Sequence, residues 1–180
     1  MIRASVDPAK LSDIDQIKSL MEGVFGPFPK LEGLFTKWVT QDQYNVVVAK
    51  INEKVIGVST WCLKLENDFS KYESFGAQAL EFLKAHKLAW AVNLAVYPEY
   101  RRNKVGQQLS FAQLQWLKKQ NCSAVVGSSW VNGTEDHSQH LYLKAGFNKL
   151  GDSKEFLRLR SEEHTSEPSH LKLSRMPSSA

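Results

Sequence analysis

The chain has 180 residues and a mass of 20.4 kDa, the size of one ordinary domain. Its apolar fraction of 42% and charged fraction of 23% exclude a collagen-like or wholly disordered chain. The formal net charge is +4, yet no Lys/Arg run exceeds two residues, which argues against a nucleic-acid-binding surface.

Read in chain order, the elements alternate between strand and helix. Residues 2–6 form a short first strand. Asp7 and Ser12 are candidate caps for a helix with Ile14, Ile17, Met21 and Val24 on one face. Gly26-Pro27-Phe28-Pro29 stops it. Leu31, Leu34, Phe35 and Trp38 suggest a second helix. Residues 46–51 and 55–64 are β-rich around Asn52-Glu53-Lys54, a hairpin signal. Residues 75–87 carry Ala79, Phe82 and Leu83 at helical spacing, and 90–97 read as a strand. Residues 106–119 place Leu109, Ala112 and Trp116 on one helix face. Residues 124–130 read as a buried strand, and 134–145 as a helix closed by Gly146. Residues 147–150 and 155–159 are short final strands.

The longest apolar run, residues 88–97, is interrupted by Asn93 and is too short to span a membrane. Met1 to Ser5 has no apolar signal core, so a cytoplasmic location is expected. Cys62 and Cys122 are too few for a disulfide framework and read as reduced thiols packed as small apolar residues. Residues 161–180 contain six serines, two prolines and no aromatic residue, and read as a disordered tail. The stretch Arg160 to Glu167 is also similar to the translation of a sequencing-library adapter. The tail would then be a sequencing or cloning artefact, an idea that recovery of the same codons from independent DNA would sink.

The informative segment is Asn93 to Leu109. A strand ends at Tyr97, and Pro98 prevents its continuation as an inner strand. A turn with Arg101, Arg102 and Lys104 follows, and an amphipathic helix begins at once. The first N–H groups of a helix lack internal partners and sit at the positive end of its dipole, so this arrangement suits a phosphate. Read alone, it is equally an ordinary loop with solvated cations. The dinucleotide glycine pattern and the Gly-Lys-Ser/Thr of a nucleoside-triphosphate loop are both absent.

A second segment, His140 to Phe147, places Tyr142 thirty-six residues after Gly106. Val96, Pro98, Arg101 and Gly106, with Leu141, Tyr142, Lys144, Gly146 and Phe147, resemble the paired motifs of the GNAT family of acetyl-CoA-dependent N-acetyltransferases. The resemblance implies an α/β (α+β) GNAT acyltransferase fold over residues 1–160. Its central mixed, mostly antiparallel sheet of six to seven strands would be flanked by helices. It implies that Leu94, Ala95 and Val96 lie along the pantetheine arm, where the strand splays from its neighbour at a bulge. One backbone N–H there would polarise the thioester carbonyl. Arg101, Arg102, Asn103, Lys104, Val105, Gly106 and Gln107 would bind the cofactor, the last six of them cradling the pyrophosphate. Tyr142 would protonate the leaving thiolate. Acetyl-CoA is the implied cosubstrate and a small-molecule or peptide amine the acceptor, with no metal, nucleic acid or membrane involved; a homodimer is left open.

The chain departs from that family in three places. Lys104 replaces the first loop glycine and is strained if the position needs positive φ. Trp130 stands where some members carry a glutamate base, and Glu135 where many carry an asparagine that nearby Asn132 could replace. The general base therefore stays unassigned among Glu135, Asp136, His137, His140, Glu99 and a water chain. His137 and His140 lack a third ligand at metal-like spacing and read as part of a solvated polar face. Residues 65–88 are read either as part of the acceptor wall or as a packing insert. The reading opposed to catalysis is a non-catalytic acyl-CoA-binding sensor or interaction module.

Overall fold

The computed structural model describes residues 3–27, 33–63, 81, 83–128, 143, 146, 148–149 and 155–159. Strand β1 (Ser5–Pro8) leads through a single 3-10 turn (Leu11–Asp13) to α1 (Ile14–Phe25) and α2 (Leu34–Thr40). Strands β2 (Tyr44–Ile51), β3 (Lys54–Leu63) and β4 (Leu88–Val96) follow. A second 3-10 turn (Pro98–Tyr100) leads to α3 (Val105–Lys119) and β5 (Ala124–Ser128), and β6 (Asn148–Lys149) and β7 (Glu155–Leu159) complete the sheet.

The seven strands among the described residues lie in the order β1-β2-β3-β4-β5-β7-β6. All neighbours are antiparallel except β4 and β5, which the crossover through α3 makes parallel. The fold is therefore the mixed, mostly antiparallel α/β sheet expected from the sequence. The β2–β3 hairpin turns on Asn52 (φ 47°) and Glu53 (φ 65°). Positive φ at both central residues is the turn whose twist matches the flanking strands. Lys54 already belongs to β3.

Helices cover both sheet faces, which is why β3 is buried almost continuously rather than alternately. On one face, Ile17, Leu20 and Met21 of α1 and Phe35 of α2 pack against Val46, Val48, Val55, Val58 and Ala95. On the other, Val105 and Leu109 of α3 pack against Val47, Ala49 and Ile56, and Leu117 against Trp61, Ala89, Ala91 and Val125. The buried residues of α3 are Val105, Leu109, Gln113 and Leu117, a stripe at spacing four. Gln113 is polar but fully paired. Its Nε2 donates to the Asn45 carbonyl (3.0 Å) and the Ser59 carbonyl (2.8 Å), and its Oε1 accepts from Asn45 Nδ2 (2.9 Å).

The start of α1 differs from expectation. Asp7 lies within β1 and Ser12 within the 3-10 turn, so neither caps the helix. Asp13 holds the corner instead. Its Oδ2 accepts from the Lys10 N–H at 2.9 Å, and its Oδ1 pairs with Lys50 Nζ at 2.7 Å. Gly146 has φ 80° and its N–H donates to the Leu143 carbonyl at 3.0 Å, as expected of a helix-terminating glycine. The adjoining residues 129–142 lie outside the described residues. Among the described residues, no helix is long and apolar enough to cross a membrane.

Candidate active site

The site is built where β4 parts from β5. The parallel pairing runs from Leu88–Ala124 to Ala91–Gly127 and stops. On its other side, β4 shifts register against β3. Trp61 faces Ala91 while Thr60 faces Asn93, so Val92 is an extra residue and β4 bulges there. Past the bulge, Asn93 to Val96 continue against β3, and no partner strand accompanies them on the β5 side among the described residues.

The direction of each backbone group follows by alternation. The Tyr97 N–H donates to the Ile56 carbonyl at 3.1 Å. In an antiparallel ladder every second residue turns its N–H and C=O to the same partner. Ala95 and Asn93 therefore face β3, and Leu94 and Val96 face the open edge. Arg101 agrees with this assignment, since its Nε donates to the Val96 carbonyl at 3.1 Å from outside the sheet. Of the three strand residues singled out in the sequence, Leu94 and Val96 present backbone groups to the fork. Ala95 pairs with β3 and buries its methyl beneath α1.

The open edge leads directly to the first turn of α3. Lys104 is the N-cap, with φ 63° and ψ 9°, and makes no side-chain cap bond. The first turn of α3 holds no acidic residue. The N–H groups of Val105, Gly106 and Gln107 thus precede the first helical bond, in which Gln108 N–H donates to the Lys104 carbonyl at 3.0 Å. Arg101, Arg102 and Lys104 are exposed around this end, and Val105 is buried as the wedge that seats the turn on the sheet. The positive φ on which the Lys104 strain depended is present. Arg102 shares it at φ 62°, which the sequence did not reveal. Asn103 braces the turn, its Nδ2 donating to the Arg101 carbonyl at 3.1 Å.

Two supports of this loop escaped the sequence reading. The Lys54 ammonium lies 5.7 Å from the Tyr97 ring centre and 5.5 Å from that of Tyr100, bracing the strand end from the hairpin below. Gly57, opposite Val96, lets α3 approach closely. A Cβ there would lie 3.0 Å from Leu109 Cδ1 and 3.1 Å from Val105 Cγ1. A glycine between Ile56 and Val58 inside a strand was the available signal.

Tyr142, Trp130, Asn132, Glu135, Asp136, His137 and His140 lie outside the described residues, as do 65–80 and 82 of the expected acceptor wall. Glu99 is exposed in the 3-10 turn.

The family model described as "Acetyltransferase (GNAT) family" matches residues 14–147. A search of curated proteins finds no match. Several solved structures share the fold. A mosquito arylalkylamine N-acetyltransferase like 5b superposes with a TM-score of 0.64 at 19% identity, covering 88% of this chain and 100% of that one. Arabidopsis thaliana NAA60, in complex with acetyl-CoA, gives 0.67 at 16% identity, covering 87% and 98%. The aminoglycoside antibiotic 6'-N-acetyltransferase AAC(6')-Ih from Acinetobacter baumannii gives 0.65 at 14% identity, covering 91% and 99%.

Proposed function

The chain belongs to the GNAT acetyltransferase family, and from that premise we propose that it moves an acetyl group from acetyl-CoA to a primary amine by direct attack within a ternary complex. The observation that carries this reading is the continuity between the open edge of β4 at Leu94 and Val96 and the uncapped first turn of α3. The residues present fit such a ligand. Leu94 and Val96 would pair with the two amides of a pantetheine arm as a further strand would. The N–H groups of Val105, Gly106 and Gln107 would receive the diphosphate, with Arg102 and Lys104 adding positive charge. An anion at a helix N-terminus gains about 0.3–1 kcal/mol, and up to about 2 where partly buried.

Acetyl-CoA, when bound, supplies an activated acetyl thioester. The chain's task is to place an uncharged amine against it. An N–H group on the open edge of β4 would polarise the carbonyl at the fork. As the C–N bond forms and the C–S bond breaks, Tyr142 gives its phenol proton to the departing sulfur. The proton shed by the nitrogen returns to Tyr142 through solvent. No covalent enzyme intermediate is needed, because the thiolate is an adequate leaving group.

Calorimetry with acetyl-CoA and thiol release across an amine panel test this reading. Saturable binding with turnover is expected, and Gly106→Glu should abolish binding by adding bulk and negative charge where the diphosphate sits. Tyr142→Phe should lower kcat about 10²-fold with the acetyl-CoA Kd unchanged. No heat on titration would overturn the assignment.

A further inference from the structure

Among the described residues, buried polar side chains are paired, with one exception at the fork. Asp13, Ser59 and Gln113 all have partners; Ser59 Oγ donates to the Asn93 carbonyl at 3.2 Å. Thr60 Oγ1 and both Nδ2 and Oδ1 of Asn93 are out of contact with solvent and have no hydrogen-bond partner. Thr60 is 0% exposed. The two residues stand directly opposite each other at the register shift between β3 and β4. Native proteins seldom leave three such atoms unpaired at one place without a reason beyond the fold.

Their location supplies the reason. Val58 and Ala95 point into the core beneath α1 and α2, so Thr60 and Asn93, two residues along each strand, point to that same face. The proposed diphosphate site lies at the other end of the open edge, and a strand advances about 3.3 Å per residue. A ligand running along Val96 and Leu94 from α3 therefore brings its far end beside Asn93, where β4 and β5 part.

We propose that Thr60 and Asn93 are the hydrogen-bonding pair that orients the acceptor, and that the acceptor is an amine with an oxygen on the second carbon from its nitrogen. This rests on the acetyl-transfer reading above. A carboxamide presents a donor and an acceptor side by side, whichever way it is turned. Its oxygen, with Thr60 Oγ1, takes N–H groups of the uncharged amine and leaves the nitrogen lone pair free to attack. Its NH₂ then needs an acceptor atom close by, which an N–C–C–O unit provides and an alkyl chain does not. Both residues are neutral and their polar atoms are out of contact with solvent, so nothing there offsets the cost of desolvating an ammonium, and the uncharged amine is favoured. These are positioning residues; neither takes a proton.

Thr60→Val and Asn93→Leu keep shape and remove the polar atoms. The probes are 2-aminoethanol, glycinamide and 1-aminopropane at saturating acetyl-CoA, read by thiol release. In the wild type, at least one oxygen-bearing amine should exceed 1-aminopropane in kcat/KM by about tenfold. Preference for glycinamide identifies a carbonyl oxygen, and preference for 2-aminoethanol a hydroxyl. Both variants should erase the preference while the acetyl-CoA Kd holds and Tm holds or rises, because unpaired buried groups have been removed. Retained preference in the variants overturns the proposal. So does a fall in Tm, which marks a structural pair, and so does a wild type that does not discriminate. A wild type that binds acetyl-CoA but acetylates none of the probes overturns the acceptor assignment alone. One that binds no acetyl-CoA overturns the reading beneath it.

Discussion

The Nε of Arg101 donates to the carbonyl of Val96 at 3.1 Å, so the basic loop is tied back to the last residue of the strand it leaves. The bond closes one backbone acceptor on the open edge of β4 and fixes the angle at which the chain enters α3. Arg101→Ala should loosen the first turn of α3 and raise the Kd for acetyl-CoA about tenfold by calorimetry. Arg101→Lys keeps the charge but loses the planar guanidinium. If the tether matters more than the charge, the lysine variant will bind as weakly as the alanine variant.

Lys104 stands at φ 63°, where a Cβ crowds the backbone at a cost of about 1–2 kcal/mol. Glycine removes that crowding but loses about 0.5–1 kcal/mol more to unfolded-state freedom. Lys104→Gly should therefore stabilise the fold by roughly 0.5–1 kcal/mol in urea denaturation. Its acetyl-CoA affinity should fall at low salt and converge on the wild type at high salt, because the lost ammonium acts through screened charge.

The parts of this architecture legible in the sequence are those set by local chemistry. The Asn52–Glu53 turn and the α1 face through Ile17 and Met21 follow from local spacing. Of the α3 face expected through Leu109, Ala112 and Trp116, only Leu109 lies in the buried stripe, and the other two pack at its margin. The basic loop before α3 was visible because Pro98, three cations and Gly106 fall within nine residues. The fork itself was reached only through family resemblance. Val92 is one apolar residue among several in β4, and nothing local marks it as the extra residue, since a bulge is a property of the pairing between β3 and β4. Gln113 interrupts an apolar stripe, yet its partners Asn45 and Ser59 lie 68 and 54 residues away in the chain. The corner before α1 was misread for a similar reason. Asp7, Ser12 and Asp13 are all plausible caps by type, and Lys50, arriving from β2, decides among them.

The same Asp13 makes stability depend on pH. Burial pushes its carboxyl upward, but the hydrogen bonds from Lys50 and the Lys10 N–H, with the charges of both lysines, outweigh this and hold it below the ordinary value of 3.8. A carboxylate lowered in the folded state contributes its full stability above its unfolded value and loses it as pH falls through the folded one. Tm should therefore be flat near neutrality and fall below about pH 4. Asp13→Asn should cost about 2 kcal/mol near neutrality by stranding Lys50, and its deficit should shrink at acidic pH. Thermal melts of both proteins across that range check this; parallel curves would exclude the Asp13–Lys50 pair as the source.

Gly57 tests whether the seating of α3 governs the cofactor end of the site. Its missing Cβ leaves room for Val105 and Leu109, and it lies opposite Val96, so one position touches both the helix start and the strand that carries the open edge. Gly57→Val puts a branched side chain where even a methyl would sit 3.0 Å from Leu109 and 3.3 Å from the Ala95 carbonyl. The backbone carbonyl cannot move aside, so α3 must lift. A loss of about 1–3 kcal/mol in stability is expected. Acetyl-CoA affinity should fall further than Gly57→Ala alone produces, because the N–H groups of Val105 to Gln107 move with the helix. Pairing Gly57→Val with Leu109→Ala restores the space by shortening the neighbour in contact. If calorimetry on the double variant recovers affinity while its Tm stays low, the position of α3 sets binding. Recovery of neither would place the control elsewhere in the loop.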